Sequence, residues 1–240
     1  MKALKWISRA LFPEDFTCEL CGREIFKGER LCESCKETVE FNDGATCPTC
    51  GRKTETRALC IECKALAPKY EKAVSAIVHE GGGAALIHKF KNGDAYLKDY
   101  FADLLTDKCG FACEADGICF VPMTDKDKAK RGYNQAELLA EALAQRLNLP
   151  LLKDAIIKVK KSEPQKSLTT AERKENLKGC FKADGKIVKG KTLLLVDDVM
   201  TTGATAEIIC TELIKRGAEK IYFVTAASVE YKVKTVENIL

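Results

Sequence analysis

The chain has 240 residues, 39 Lys+Arg against 35 Asp+Glu, a formal net charge of +4 and 46% hydrophobic residues. That length leaves room for one α/β domain of ~150–170 residues plus a smaller module, and so weak a charge does not by itself argue for a nucleic-acid partner. No stretch approaches the ~18–20 consecutive apolar residues that a bilayer span requires.

In the opening segment, residues 1–12, Leu4, Ile7 and Leu11 recur at helical spacing. A helix docked on its own protein is expected there rather than a signal peptide, because the segment is short and lacks a small-residue cleavage site. Thirteen cysteines without a secretion signal fit a reducing cytosol better than a disulfide framework, which predicts a cytoplasmic protein.

Eight of those cysteines form four Cys-x-x-Cys pairs: Cys18/Cys21, Cys32/Cys35, Cys47/Cys50 and Cys60/Cys63. The runs CELCGRE…LCESCK and CPTCGRK…LCIECK repeat at an offset of 28–29 residues. Two residues between cysteines make a tight turn that aims both thiolates at one ion, with Gly22 and Gly51 allowing the bend. Facing turns complete a tetrahedral four-thiolate site suited to Zn²⁺, so two structural zinc ions are expected. The repeat favours consecutive pairing and leaves an interleaved scheme open. Residues 1–68 hold eleven basic and eleven acidic side chains, so this module suits packing or partner docking better than tight phosphate-backbone binding. Cys109, Cys113, Cys119, Cys180 and Cys210 sit singly among apolar residues and read as buried small hydrophobes. His79 and His88 lack any ligand-like constellation.

From residue 69 onward a second domain is expected, running to residue 240. Apolar β-rich runs at 73–78, 118–121, 192–196 and 221–226 are short enough for buried strands. Helical periodicity follows at Leu139, Leu143 and Leu147, and again at Ile208, Ile209, Leu213 and Ile214 before Gly217. Strand–helix–strand order implies a parallel sheet covered by helices, with ligands at the carboxyl ends of its strands.

The segment LLLVDDVMTTGAT, residues 193–205, is the sharpest case. A buried strand ends in Asp197 and Asp198; Thr201, Thr202, Gly203, Ala204 and Thr205 then lead into a helix. Converging backbone N–H groups, the helix dipole and three threonine hydroxyls suit a phosphate. Gly203 lets the backbone approach, and the paired carboxylates suit sugar hydroxyls. Together these describe a 5-phosphoribosyl ligand.

This run resembles the phosphoribosyl-pyrophosphate (PRPP) loop of type I phosphoribosyltransferases. The segments FVPM…RGYNQAELLAEALA (120–144), SEPQKSLTTAERKENLKGCF (162–181) and FKNGD (90–94), preceded by the four-cysteine modules, resemble the ComF family over nearly the whole chain. One departure is Thr124, where the family commonly has a second proline. The resemblance implies a parallel-sheet α/β type I phosphoribosyltransferase fold behind a small zinc-ribbon module. It also implies involvement in DNA uptake, with competence proteins as partners.

It further implies that residues 123–135 form a loop holding the pyrophosphate half of PRPP, with Arg131 first among Lys126, Lys128, Lys130 and Arg131. Residues 158–178 read as a polar, basic excursion suited to a hood that closes over a polyanion; residues 153–182 hold nine Lys/Arg against four Asp/Glu. Within the excursion Gln165, Arg173 and Asn176 match the family pattern, and Arg173 would pair bidentately with a phosphate. Lys89 and Lys91 lie near the remaining matched segment, and the sequence does not choose between them.

The implied reaction displaces pyrophosphate at C1 of the ribose, with Mg²⁺ neutralising the leaving group and Asp197 and Asp198 fixing the ribose. No general base and no acceptor can be read from the residues. Three functions fit: transfer of phosphoribosyl to an unknown acceptor, an accessory role with single-stranded DNA in which PRPP is ligand or regulator, and a non-catalytic PRPP sensor. Against a DNA-reading regulator, no helix-turn-helix pattern precedes residue 70.

Overall fold

The computed structural model describes residues 17–26, 28–160 and 176–231. The expected opening helix, Gln165 and Arg173 lie outside these. The elements run α1 (Glu33–Lys36), α2 (Ile61–Leu66), β1 (Lys72–Val78), α3 (Gly81–Lys91), α4 (Leu97–Thr106) and a 3-10 turn (Asp107–Glu114), then β2 (Gly117–Phe120), α5 (Asp125–Arg131) and α6 (Gln135–Leu147). They continue with β3 (Ile156–Lys158), β4 (Phe181–Ala183), α7 (Gly185–Val188), β5 (Thr192–Met200), α8 (Ala204–Lys215) and β6 (Lys220–Ser228).

Four strands form one sheet in the order β1-β6-β5-β2, every neighbouring pair parallel. Alternation along the strands gives it two apolar faces. Leu194, Val196, Tyr222 and Val224 pack with helices α3, α4 and α6. Leu193, Leu195, Ile221 and Phe223 face α8 and the β3/β4 pair. Central strands buried on both faces are what continuous Leu/Val/Ile runs produce.

The 192–196 run was expected to stop at the acids, yet β5 continues to Met200. Asp197, Val199 and Met200 find partners in Thr225, Ala227 and Ser228 of β6, so pairing with a longer neighbour extends the strand beyond its apolar run. Residues 125–131, expected as a loop, form a short helix. Thr124 accepts the Asp127 N–H at its start, Asp125 and Asp127 lie in the first turn, and Gly132 ends it at φ 92°. The departure from the family's second proline thus supplies the cap. Cys113 is exposed, unlike the other four single cysteines, and its thiol donates to the Gly110 carbonyl.

The two cysteine-rich segments lie on opposite faces of the sheet. Cys18 and Leu31 join the cluster around α3 and α4, whereas Cys47, Cys50, Cys60 and Cys63 join the one around α8. Between them the chain crosses the outer edge of β1. Asn42 N–H donates to Ala76 O, Val78 N–H to Glu40 O and Ala73 N–H to Thr49 O at 2.7–3.0 Å. The ribbon region thereby covers an edge strand that would otherwise invite pairing with another chain.

Candidate functional site

Because all four strands point the same way, their carboxyl ends open on one side, and a cleft of about 900 Å³ lies there. Three of the four strand ends supply part of its wall. His79 follows β1, Val121, Pro122 and Met123 follow β2, and Asp197, Asp198 and Val199 belong to the end of β5. Thr201 and Thr205 complete the floor, with Lys130, Arg131 and Asn134 from the α5–α6 region.

The turn 201–205 links β5 to α8. Gly203 precedes α8 at φ 75°, a left-handed conformation that glycine adopts without strain, so the chain reverses from strand to helix in a few residues. Thr202 accepts the Ala204 N–H at 3.4 Å. Thr201, Thr202, Gly203, Ala204 and Thr205 together curl around a recess of about 20 Å³ at the positive end of a 12-residue helix.

Beside the turn the two acids differ. Asp197 accepts the Asp198 N–H at 2.8 Å, and Asp198 pairs with Lys91 at 3.1 Å. Burial, reinforced by the neighbouring Asp198 charge, pushes Asp197 up to about 8 against the opposing pull of the Asp198 N–H and Lys91. His79, also in the wall, is lowered by burial and by Lys91, which favours its neutral form.

Lys91, at the end of α3, is in the cleft, whereas Lys89 turns to the first cysteine cluster and donates to the Glu19 and Leu20 carbonyls at 2.6 and 3.4 Å. Two residues on a helix are about 200° apart, which sends the two lysines opposite ways. Arg131 is exposed at the cleft wall, where its Nη1 donates to Gln135 Oε1 at 3.1 Å. Lys128 instead pairs with Glu137, and neither it nor Lys126 lines the cleft. Residues 161–175 of the expected hood lie outside the described residues; Lys158 and Phe181 of the antiparallel β3/β4 pair, with Leu177 near it, line the cleft. Asn176 does not line the cleft; its carbonyl accepts from the Cys180 thiol at 3.4 Å.

Sequence reasoning missed His79 as a wall residue, although its place directly after a strand was the available signal. It also missed how two matched segments meet. Tyr133 donates its hydroxyl to Phe90 O at 2.6 Å and accepts the Gly93 N–H at 3.1 Å, binding FKNGD to RGYNQ. Asn134 holds the wall by donating to Val121 O and capping α6.

The cysteines form two clusters, Cys18/Cys21/Cys32/Cys35 and Cys47/Cys50/Cys60/Cys63, each with all sulfurs within 4.8 Å of one another. Pairing is therefore consecutive. Tetrahedral Zn²⁺ with Zn–S of about 2.3 Å needs sulfurs about 3.8 Å apart. Cys21–Cys32 and Cys50–Cys60 stand at 3.7 and 3.8 Å, so the donor set fits that ion. Local polarity favours the thiolate at Cys50 and Cys18, whereas Cys35 and Cys60 are raised by burial and Cys63 by its hydrogen bond with Cys50. The Cys63 thiol and the Arg52 guanidinium draw Cys50 down to about 5 despite burial. Burial would raise Cys18, but N–H groups of Cys21, Cys32 and Leu20 bring it to about 6.

Comparisons with known proteins agree with both halves. Residues 7–64 match the double zinc ribbon domain and residues 134–238 the phosphoribosyl transferase domain. The DNA utilization protein YhgH of Escherichia coli (strain K12) is 27% identical over 213 residues, 85% of this chain and 93% of its own length. Competence protein F of Haemophilus influenzae is 28% identical over 218 residues, covering 86% and 94%. Competence protein ComFC of Bacillus subtilis is 26% identical over 220 residues, covering 86% and 88%. The fold is the parallel-sheet α/β type I phosphoribosyltransferase fold behind two four-cysteine clusters: a double zinc ribbon precedes a phosphoribosyl transferase domain, and the chain is similar along 85–86% of its length to these DNA utilization and competence proteins.

Proposed function

We propose that this protein binds PRPP with Mg²⁺ and transfers its phosphoribosyl group to an acceptor that the residues do not identify. The observation that carries the reading is the convergence of Asp197, Asp198, Thr201, Thr205, Arg131 and Lys91 on one cleft at the strand ends. The turn 201–205 would hold the 5-phosphate on backbone N–H groups and hydroxyls, and the two acids the ribose hydroxyls. Arg131, with Lys130 beside it in the cleft wall, would hold the pyrophosphate, and Arg173 is assigned to the same polyanion from its sequence context. Carboxylate oxygens suit Mg²⁺, which would supply charge neutralisation of the leaving pyrophosphate. The acids would also favour positive charge developing at C1, so positioning rather than a strong base drives the step. Zinc at the eight cysteines is structural in this reading, and the chain divides into a zinc-held module, 1–68, and a transferase domain, 69–240.

Titration with PRPP and Mg²⁺, then pyrophosphate release across a panel of bases and amines, tests it. Asp197→Asn with Asp198→Asn should abolish PRPP binding while two zinc ions per chain remain; unchanged affinity refutes the assignment. Binding without release under any acceptor would leave a PRPP sensor instead.

The raised Asp197 value gives a second check. Its carboxyl binds a proton up to about pH 8 when folded but only below the usual 3.8 when unfolded. That contribution to stability is complete below the unfolded value and is lost as pH rises through the folded one. Asp197→Asn should therefore gain Tm relative to the natural chain between about pH 5 and 8, and a difference independent of pH contradicts the assignment.

The relatives' names, DNA utilization protein and competence protein, favour a second reading in which the protein handles single-stranded DNA with PRPP as ligand or regulator. It requires salt-sensitive binding that weakens when the basic residues of 158–178 are neutralised. Absence of binding near physiological salt would remove it for the isolated protein.

A further inference from the structure

The motif Cys-Gly-Arg occurs once in each cysteine repeat, and the two arginines behave differently. Arg23 is exposed. Arg52 is only 6% exposed, and its guanidinium folds back over its own cluster. Its Nε donates to Cys50 Sγ at 3.4 Å, and its Nη2 to Cys60 Sγ at 3.6 Å and Glu62 Oε2 at 2.5 Å. The remaining arm, Nη1, reaches the Thr201 carbonyl at 3.5 Å, the outer edge of hydrogen-bond range. Thr201 opens the phosphate-type turn.

The contact is one part of a closed seam. Cys50, Arg52 and Tyr70 form one wall; Met200, Thr202 and Gly203 form the other, and about 30 Å³ lies between them. Below it, the Lys69 N–H donates to Glu207 Oε2 at 3.0 Å in the first turn of α8. The turn is therefore supported from behind by the second cluster, on the side away from the cleft. A four-thiolate cluster around a dication keeps two formal negative charges, which hold a guanidinium firmly. Its planar fork touches several acceptors at once, and a lysine lacks that geometry.

We infer that Arg52 is a positioning residue that ties the second four-cysteine cluster to the phosphate turn, so that the turn's grip on an anion depends on that cluster and the cluster's metal retention depends on the anion. The anion half rests on the PRPP reading above. The mechanical half does not, since a braced turn is slow to open whether or not ligand is present.

The test uses the full zinc-loaded chain and hydrogen exchange read by mass spectrometry. Arg52→Gln should keep two zinc ions, exchange amides 200–207 about tenfold faster and bind PRPP with Mg²⁺ about tenfold more weakly, with the first ribbon and β2 unchanged. Arg23→Gln should change none of these. In the natural chain PRPP with Mg²⁺ should slow chelator extraction of one zinc but not the other, by the reciprocity of linked binding, and Arg52→Gln should erase that protection. Should Arg52→Gln shed zinc, Glu62→Gln decides, because it loosens the guanidinium's outer anchor and leaves every sulfur contact in place. It should accelerate the same amides by a smaller factor. Unchanged exchange of 200–207 in a variant retaining both zinc ions overturns the inference. Failure of the natural chain to bind PRPP overturns the functional reading, while the exchange rates still decide the brace.

Discussion

The two zinc ribbons begin from nearly the same sequence and end in different surroundings. In the first, Cys21 is exposed, Cys32 and Cys35 are half-buried, and a Cβ on Gly22 would meet nothing within 4 Å. In the second, all four cysteines are buried, and a Cβ on Gly51 would lie 2.3 Å from the Ala73 carbonyl oxygen of β1. A repeated motif thus sets a local metal geometry twice, while contact with the sheet decides which copy becomes part of the domain's core. The first copy rests on α3 through Lys89; the second closes against the turn that begins α8.

Metal removal separates the copies most widely. A chelator should extract the zinc of the half-exposed first cluster at least about tenfold faster, giving a biphasic release curve, and a single phase would break the contrast. Alanine at the two glycines comes next. Both have positive φ, so Gly22→Ala should cost about 1 kcal/mol, but Gly51→Ala must also displace β1 backbone and should cost about 3 kcal/mol or more by denaturant unfolding. Arg52→Ala strips a buried cation from sulfur and carboxylate partners and should cost about 2 kcal/mol, whereas Arg23→Ala should stay within about 0.5 kcal/mol. Last comes Lys89→Met, which removes the first ribbon's tie to α3. A loss of about 1 kcal/mol is expected, with faster exchange confined to residues near Glu19.

Much of the fold is legible in the sequence because buried parallel strands are written as unbroken apolar runs. The 73–78, 118–121 and 221–226 runs each fall within a strand or extend one residue past it. The end of β5 is not legible, since Asp197 to Met200 stay extended only by pairing with β6. The β3/β4 pair is three residues per strand, too short for any period to register. Of the site, the 201–205 turn announces itself because its chemistry is contiguous. His79, Lys91 and Arg52 come from separate segments, and folding alone brings the first two into the cleft and Arg52 behind the turn. Nothing local marks Lys91 over Lys89, whose difference is a matter of helical phase.

If the cleft binds PRPP with Mg²⁺ as proposed, the pairing of Lys91 with Asp198 bears on which anions it admits. A bare polyphosphate that recruits Lys91 strips Asp198 of its counter-ion and leaves a carboxylate facing phosphate. An anion arriving with its own divalent cation exchanges partners instead: the incoming cation takes over Asp198, and the lysine is released to the phosphate at little electrostatic cost. On the PRPP reading proposed above, the ion pair would work as a filter on ligand charge state, favouring the metal-loaded form of an anion over the naked one.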